Sequence, residues 1–236
     1  TWTNDNATIG LAATGTDNIA AFTAINAGST PVTANITVTP VYSNGGVDCN
    51  GTPQAFTITV NPSPTLADPA NQVVCNGNTT SAVTFTGTGT SYTWINDNIS
   101  IGLGASGTGN IGAFTATNTG STPVTATISV TPVYSSGGLD CSGPSETFTI
   151  TVNPTPAVNN PGDQNYCNVS VTTAIPLSGT PSGVVFDITG GAAIGLADQV
   201  GVTQIPSYNT ISGSAVITIT PRANGCSGTP VNVSIT

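Results

Sequence analysis

The chain of 236 residues carries a net charge of −9, and only 5 % of its residues are charged. It contains no Lys, His or Met, and Arg222 is its only basic residue. A chain without cations cannot neutralise phosphates or anionic headgroups, so we exclude nucleic-acid partners and a polybasic membrane contact. No apolar run reaches 18 residues, so we predict no membrane insertion.

The same composition argues against an enzyme. Without His or Lys, none of the many Ser and Thr hydroxyls has an ordinary general base. Asp97 and Asp140 are the carboxylates to consider as a glycosidase pair. Their counterparts Asp5 and Asp48 recur in a second copy of the same sequence, which indicates a structural role. We therefore predict no catalytic residues and no required cofactor.

An internal repeat with an offset of 92 residues organises the chain. Residues 1–12 (TWTNDNATIGLA) recur as residues 93–104 (TWINDNISIGLG), and 18 of the 61 positions in 1–61 differ from those in 93–153. A third, diverged copy follows, in which Phe186 takes the tryptophan position. A unit of about 92 residues has the size of a small β-sandwich.

Each copy begins with an aromatic residue and then a polar turn. Trp2 and Trp94 start strands, and we predict core positions for them near an inter-sheet disulfide; the alternative is a sugar-stacking platform. Asn-Asp-Asn follows each tryptophan, and short polar side chains of this kind satisfy the backbone of a turn. A calcium site at Asp5 and Asp97 is the alternative, although the spacing matches no EF-hand loop.

The next segments alternate apolar residues with Thr. A period of two over residues 124–131 and 146–152 predicts half-buried strands, and no stretch has helical periodicity. We therefore predict an all-β chain of tandem, elongated β-sandwiches. The predicted core comprises Trp2, Trp94, Val124, Ile128, Val130, Phe148, Ile150, Val152 and Phe186.

Two prolines follow the last strand of each close copy. Proline cannot continue a ladder and favours extended geometry, so NPSPT and NPTPA predict short, stiff joints. These joints divide the chain into a partial domain at 1–61, a complete domain at 62–153 and a diverged third domain at 154–236. The first domain lacks about 31 residues that the second has at 62–92. Either the sequence begins inside a longer array of repeats, or a neighbouring chain supplies the absent strands by strand addition.

Each complete domain has one early and one late cysteine. We predict one disulfide per complete domain, Cys75–Cys141 and Cys167–Cys226, and we expect the partner of Cys49 to precede residue 1. The rival pairing, Cys49–Cys75 and Cys141–Cys167, would cross the joints and leave Cys226 over. Disulfides imply an oxidising compartment.

The motifs together resemble a known family. The segments TWTNDN, GGVDCNGTP, FTITVNP and NQVVCNG are similar to the PKD-like repeats of giant Bacteroidetes surface adhesins, which commonly end in a gliding-motility-associated sorting domain. The resemblance implies tandem Ig-like/PKD-like β-sandwich modules, secretion by a type IX route and a place at the bacterial cell surface.

Three functional hypotheses are consistent with the sequence. The first is a stalk segment of a cell-surface adhesin, built from copies of one repeat in cis. The second is an extracellular filament whose protomers exchange strands or bundle laterally. The third is a carbohydrate-binding module, for which Tyr42 and Tyr134 are the candidate contacts with surface glycans.

Overall fold

The computed structural model describes residues 1–167 and 171–236. It is all-β, with three single-turn 3₁₀ helices, which confirms the predicted fold class. We call residues 1–61 module 1, residues 62–153 module 2 and residues 154–236 module 3.

Module 1 is a four-stranded antiparallel sheet in the order β2-β1-β3-β6, accompanied by the separate hairpin β4-β5. Strand β6 forms one edge of this sheet, with its inner side on β3. The elements are β1 (Trp2–Asn4), η1 (Ala7–Ile9), β2 (Thr14–Gly15), β3 (Val32–Val38), β4 (Val41–Asn44), β5 (Val47–Asn50) and β6 (Gln54–Val60).

Module 2 repeats this sheet and adds one strand. Its order is β7-β12-β10-β8-β9, with β11 paired to the far end of β10, and β7 runs parallel to β12. The added strand β7 covers the edge of β12, which corresponds to the edge of β6 in module 1. The elements are β7 (Gln72–Cys75), β8 (Ser91–Asn96), η2 (Ile99–Ile101), β9 (Ser106–Thr108), β10 (Val124–Ser136), β11 (Leu139–Ser142) and β12 (Glu146–Asn153).

Module 3 has a related arrangement, β17-β16-β19-β20 with β21 on β19, and two short strand pairs, β13-β15 and β14-β18. Gln164 bridges Ile235 in parallel, at the place where β7 pairs with β12 in module 2. The elements are β13 (Ala157–Asn159), β14 (Ile175–Pro176), β15 (Ser178–Thr180), β16 (Val185–Thr189), η3 (Ala192–Ile194), β17 (Gln199–Val202), β18 (Gln204–Ile205), β19 (Ala215–Ala223), β20 (Cys226–Ser227) and β21 (Val231–Ile235).

Each module has its own hydrophobic cluster. In module 2 the inward-facing residues of β10 and β12 pack against Trp94, Phe85 and Ile101. The hydrophobic cluster of module 3 includes Phe186 and Ile188. Of the predicted core residues, Val124 is half-buried against its cluster. The others are buried: Trp2, Trp94, Ile128, Val130, Phe148, Ile150, Val152 and Phe186.

The predicted disulfides Cys75–Cys141 and Cys167–Cys226 are wrong. The structure instead joins Cys75 to Cys226, with their Cα atoms 5.7 Å apart. In module 2, Cys75 pairs with Asn153 at one end of the sheet, whereas Cys141 pairs with Tyr134 at the other end. Ten residues of β10 separate Val124, beside the first end, from Tyr134, which is about 33 Å of extended strand. Disulfide geometry requires Cα atoms within about 7 Å.

The same reason applies in module 3. The backbone N–H of Tyr166 donates to Thr236 at the end of the last strand, so Cys167 lies near that end. Cys226 pairs with Ala223, and eight residues of β19 separate Ala223 from Ala215, which pairs with Ile235. Early and late cysteines therefore lie at opposite ends of a module, and the bond that forms crosses the joint.

Candidate functional site at the module joint

The joint between modules 2 and 3 is built around the Cys75–Cys226 disulfide. Cys75 ends β7, held beside Asn153 by the parallel pairing with β12. Cys226 opens β20, immediately after a two-residue Asn224-Gly225 turn, and its side chain is buried. The disulfide therefore links the edge strand β7 of module 2 to the β19-β20 hairpin of module 3.

Asparagine side chains support this bond. The Nδ2 of buried Asn153 donates to the carbonyl oxygen of Asn224 at the hairpin turn, at 2.9 Å. The Nδ2 of Asn76 donates to Oγ1 of Thr155 in the link, at 3.0 Å. Both hydrogen bonds run from module 2 to module 3, so polar contacts hold the joint together with the disulfide.

The proline link is packed onto the same hairpin. Pro154 and Pro156 are buried. A Cβ added at Gly228 would lie 1.7 Å from the Pro156 carbonyl oxygen and 3.0 Å from Cγ of Pro221. Because no side chain fits there, glycine two residues after the cysteine lets the hairpin lie directly on the link.

The joint between modules 1 and 2 repeats this packing without the disulfide. A Cβ added at Gly143 would lie 1.8 Å from the Pro64 carbonyl oxygen and 3.1 Å from Cγ of Pro132. The Nδ2 of Asn61 donates to the Ser136 carbonyl oxygen at 3.2 Å, also at the hairpin turn. The hairpin of module 2 is longer, so the accepting carbonyl lies five residues before the cysteine, whereas Asn224 lies two residues before Cys226. Cys141, the counterpart of Cys226, is a half-buried thiol here.

Side chains of the Asn-Asp-Asn turns form hydrogen bonds with the backbone of their own module. In module 2, Asn96 is buried and its Nδ2 donates to the carbonyl oxygens of Leu103 and Gly104. The Oδ1 of Asn98 accepts from the backbone of Ser100 and caps η2. Oδ1 of Asp97 accepts from the backbone N–H of Thr127 at 2.7 Å. The three side chains thus bind the chain's own backbone.

The corresponding turn of module 1 has one additional hydrogen bond. Asp5 accepts from Nδ2 and from the backbone N–H of Asn35, each at 2.7 Å. These hydrogen bonds, the side-chain one first, lower the pKa of the Asp5 carboxyl below its ordinary 3.8, because they favour the charged form. Among the described residues, no group of three or more His, Cys, Asp or Glu could hold a metal ion. A calcium site at Asp5 and Asp97 therefore stays a sequence-based alternative.

Each tryptophan lies against a glycine of the neighbouring strand. A Cβ added at Gly107 would lie 2.3 Å from the Trp94 ring, and one added at Gly15 would lie 2.1 Å from the Trp2 ring. Trp94 is only 8 % exposed. It is enclosed by its own sheet, so its ring is not presented to a sugar, and the disulfide lies at the joint rather than beside it.

The two tyrosine candidates lie on the hairpins that carry the late cysteines. Tyr42 pairs with Cys49 and is 70 % exposed. Tyr134 pairs with Cys141 and is half-buried. The structure therefore places them beside the joint cysteines, in separate modules. Arg222, on the corresponding strand of module 3, forms an ion pair with Asp187.

The residues that build the joint were not identified from the sequence. Asn153, Asn76 and Gly228 form its contacts, and their signal was present in the repeat. Asn61-Pro62 recurs as Asn153-Pro154, and Cys-Xaa-Gly recurs at Cys49, Cys141 and Cys226. A glycine at a fixed distance from a cysteine indicates a close backbone approach, but the sequence does not say to what.

Comparisons with known proteins give distant structural similarities. None of the curated proteins matches the sequence. Mouse protocadherin-24 EC1-3 is 10 % identical, with 100 % of this chain and 89 % of that chain covered and a TM-score of 0.36. The fibronectin(III)-like modules of Clostridium thermocellum CbhA are 16 % identical, with coverages of 73 % and 92 % and a TM-score of 0.32. Sidekick-1 immunoglobulin domains 1-5 are 12 % identical, with coverages of 90 % and 48 % and a TM-score of 0.42.

A family match locates the module in the sequence. Residues 72–156 match the model described as a PKD-like domain. The matched range runs from the first residue of β7 to the buried Pro156 of the second link, and it includes all of the strands of module 2. No helix in residues 1–167 and 171–236 is long and apolar enough to cross a membrane. Residues 72–156 of this all-β chain are therefore similar to a PKD-like domain.

Proposed function

We propose that this chain is a structural spacer, a stalk segment of an extracellular surface adhesin that transmits tension along a row of modules. A PKD-like module is of the extracellular structural or adhesive type. The observation that carries the proposal is the covalent bond across the joint between modules 2 and 3. A binding or catalytic module would not require its neighbour to be fixed in this way.

The position of the disulfide suits a chain under tension. Cys75 and Cys226 are 151 residues apart in sequence, and the segment between them contains most of modules 2 and 3. Force applied to the chain ends passes through the bond and bypasses that segment. If the two modules unfold under force, the bond withholds about 500 Å of extended chain. The row then lengthens little even when its modules open.

The surface composition is consistent with a spacer exposed to solvent outside the cell. One basic residue in 236 offers almost no site to trypsin-like proteases, and Arg222 is held by Asp187. A disulfide requires an oxidising compartment. We place the chain at the surface of a bacterium of the Bacteroidetes type, exported by a type IX route, on the basis of the sequence resemblance.

Single-molecule stretching of the whole chain, held at its two ends, tests the proposal. We expect the oxidised protein to release about 500 Å less contour length on complete unfolding than the Cys75→Ser/Cys226→Ser variant. Cys49→Ser is the matched control and leaves the released length unchanged, because its thiol is exposed and outside the bonded loop. Equal released lengths in the oxidised protein and the double variant would contradict the proposal.

A second candidate, a filament of strand-exchanging protomers, is favoured by one observation. No strand in the described part of the chain pairs with the outer edge of β6 in module 1, and Phe56 on this strand is 46 % exposed. A strand from another chain could pair there. Size-exclusion chromatography over a range of concentrations separates the two candidates, since the spacer stays monomeric whereas the filament grows.

A further inference from the structure

We infer that Cys141 and the open edge of β6 form one acceptor site, which binds a parallel strand ending in cysteine and bonds it covalently. The occupant is the counterpart of β7 that belongs to module 1 itself, placed ahead of Thr1 by the register of the repeat. Cys75–Cys226 is then one instance of a bond that recurs at every joint, from the early cysteine of one module to the late cysteine of the next. This bond would form whether or not the chain serves as a spacer.

The first support is the unburied apolar surface of β6. Phe56 is 46 % exposed, whereas its counterpart Phe148 in β12 is 2 % exposed. Ile58 is half-buried, whereas its counterpart Ile150 is fully buried. The sequences of the two strands are nearly the same, so the difference comes from what covers them. In module 2 the covering residues include Leu66, Val74, Val83 and Phe85 of the segment that precedes β8.

The second support identifies the occupant. Module 2 covers the edge of β12 with its own strand Gln72–Cys75, in parallel, and Asn153 pairs with Cys75. Module 3 does the same with Gln164, which bridges Ile235. Transferred to module 1 by the 92-residue offset, this register places a parallel strand on β6 and its terminal cysteine beside Asn61.

The third support is that the cysteine on the other side of that joint is already in place. Gly143 lies on the Pro64 carbonyl as Gly228 lies on that of Pro156, with hypothetical Cβ distances of 1.8 and 1.7 Å. Asn61 and Asn153 each donate to a hairpin carbonyl of the following module. The joint therefore holds the Cys141 hairpin in the position of the Cys226 hairpin, although the disulfide is absent.

The chemistry is thiol–disulfide exchange with a small disulfide or an oxidised dithiol protein as the oxidant. The Cys141 thiolate attacks one sulfur of the oxidant, and the other sulfur leaves as a thiolate. The cysteine of the bound strand then attacks Sγ of Cys141 and releases the second thiolate. Two protein thiols are oxidised, and one disulfide is reduced to two thiols.

A bond at this joint would interlock with the one observed. Cys141 lies inside the loop that Cys75 and Cys226 close. Successive bonds would therefore form overlapping loops, so no module could be extended fully without breaking a disulfide. This consequence distinguishes the inferred pattern from one closed loop per module.

The test is an extension of the full chain. A copy of residues 62–92 is joined ahead of Thr1, which restores the register, and a matched extension carries Ser in place of the copied Cys75. Both proteins are oxidised with glutathione disulfide, alkylated and digested before aspartate, because Asp48 and Asp140 place Cys49 and Cys141 in different peptides. Hydrogen exchange of the β6 amides reports strand docking in both proteins, whether or not the bond forms.

We expect the copied cysteine to be joined to Cys141. Cys141 should then escape alkylation in the Cys extension and remain fully alkylated in the Ser extension. Both extensions should slow exchange at Thr57 and Thr59 and stay monomeric. A bond from the copied cysteine to Cys49, or unchanged Cys141 alkylation with β6 protected, would overturn the inference. Disulfide-linked oligomers would show that the strand comes from another chain, and would overturn the assigned occupant.

Discussion

Modules 1 and 2 share most of their residues in 1–61 and 93–153, yet their last strands lie in different environments. Strand β12 is buried at alternate positions along its length, whereas β6 is exposed over its first half. The two sheets have the same strand order up to β6 and β12. Module 2 adds the strand that covers this edge, and its hairpin continues the sheet, whereas β4 and β5 form a separate hairpin in module 1. Burial of a strand is therefore decided by its neighbour as much as by its own alternation.

Some features of a module form from its own residues, whereas others require a preceding segment or the next module. Turns, tryptophan packing and the inner strands recur in both modules, because most of their partners lie within residues 1–61 or 93–153. The outer strand and the joint bond need the segment 62–92 and its early cysteine. A single module of this repeat is thus defined by the sheet edge it completes as well as by its own core.

The largest expected effect is the difference in lost stability between two phenylalanine substitutions. Phe148→Ala removes a buried ring and should cost about 3–5 kcal/mol. Phe56→Ala, the matched change in module 1, should cost less than about 1.5 kcal/mol because that ring is already half in solvent. Native-state hydrogen exchange at Ile128 and Ile36 measures the opening free energy of each module separately. Equal losses in the two modules would show that β6 is covered in solution.

A second pair of substitutions tests a feature that the modules share. Gly107→Ala and Gly15→Ala each push a methyl group into an indole ring, and each should cost about 1–3 kcal/mol. The control is Gly112→Ala, where the added Cβ meets nothing within 4 Å. Tryptophan fluorescence during denaturation, with Trp2→Phe or Trp94→Phe to isolate one ring, measures the change. A neutral Gly107→Ala would contradict the tight packing against Trp94.

A smaller effect compares the two joints. Asn153→Ala removes a buried side chain, leaves the Asn224 carbonyl without its donor at a partly buried contact, and should cost about 1–2 kcal/mol. Asn61→Ala should cost less, because Asn61 is half-buried and its bond is longer. Calorimetry in the Cys75→Ser/Cys226→Ser background keeps the disulfide from masking the loss. Similar losses at both joints would contradict the difference in burial.

The smallest effect depends on pH and on Asp5. Its folded-state pKa is lowered, so its contribution to stability is complete above its ordinary pKa of 3.8 and is lost as the pH falls through the lower folded value. Asn35→Thr gives module 1 the residue that module 2 has at Thr127 and removes the side-chain amide that donates to Asp5. We expect the Asp5 pKa to rise towards 3.8 in this variant, as measured by NMR titration. An unchanged Asp5 pKa would show that the Asn35 amide is not the cause.

The sequence was sufficient to predict the strands and turns. Alternation of Val, Ile and Phe with Thr depends on local pairing, and the buried positions of Ile128, Phe148 and Phe186 follow from it. The Asn-Asp-Asn turns were interpreted from side-chain chemistry that acts within a few residues, and the structure shows that kind of bond at Asn98 and Ser100. Local chemistry and period-two patterning were enough for these features.

The disulfide pairing could not be predicted, because it depends on the ends of the sheet. One early and one late cysteine in each module suggest a bond within the module when only the order along the chain is known. The parallel placement of β7 on β12 carries Cys75 to the end opposite Cys141, and nothing in the short segment Gln72–Cys75 specifies that direction. The joint contacts of Asn153 and Gly228 were missed for the same reason.

The covalent link between modules is tested most directly by mapping the disulfide in the oxidised, unextended chain. Cleavage before aspartate places the five cysteines in five different peptides, because Asp48, Asp68, Asp140, Asp163 and Asp198 each precede one of them. Under non-reducing conditions we predict that the peptide 68–96 is joined to the peptide 198–236. A bond between the peptides 68–96 and 140–162 would place the disulfide within module 2 and contradict the account.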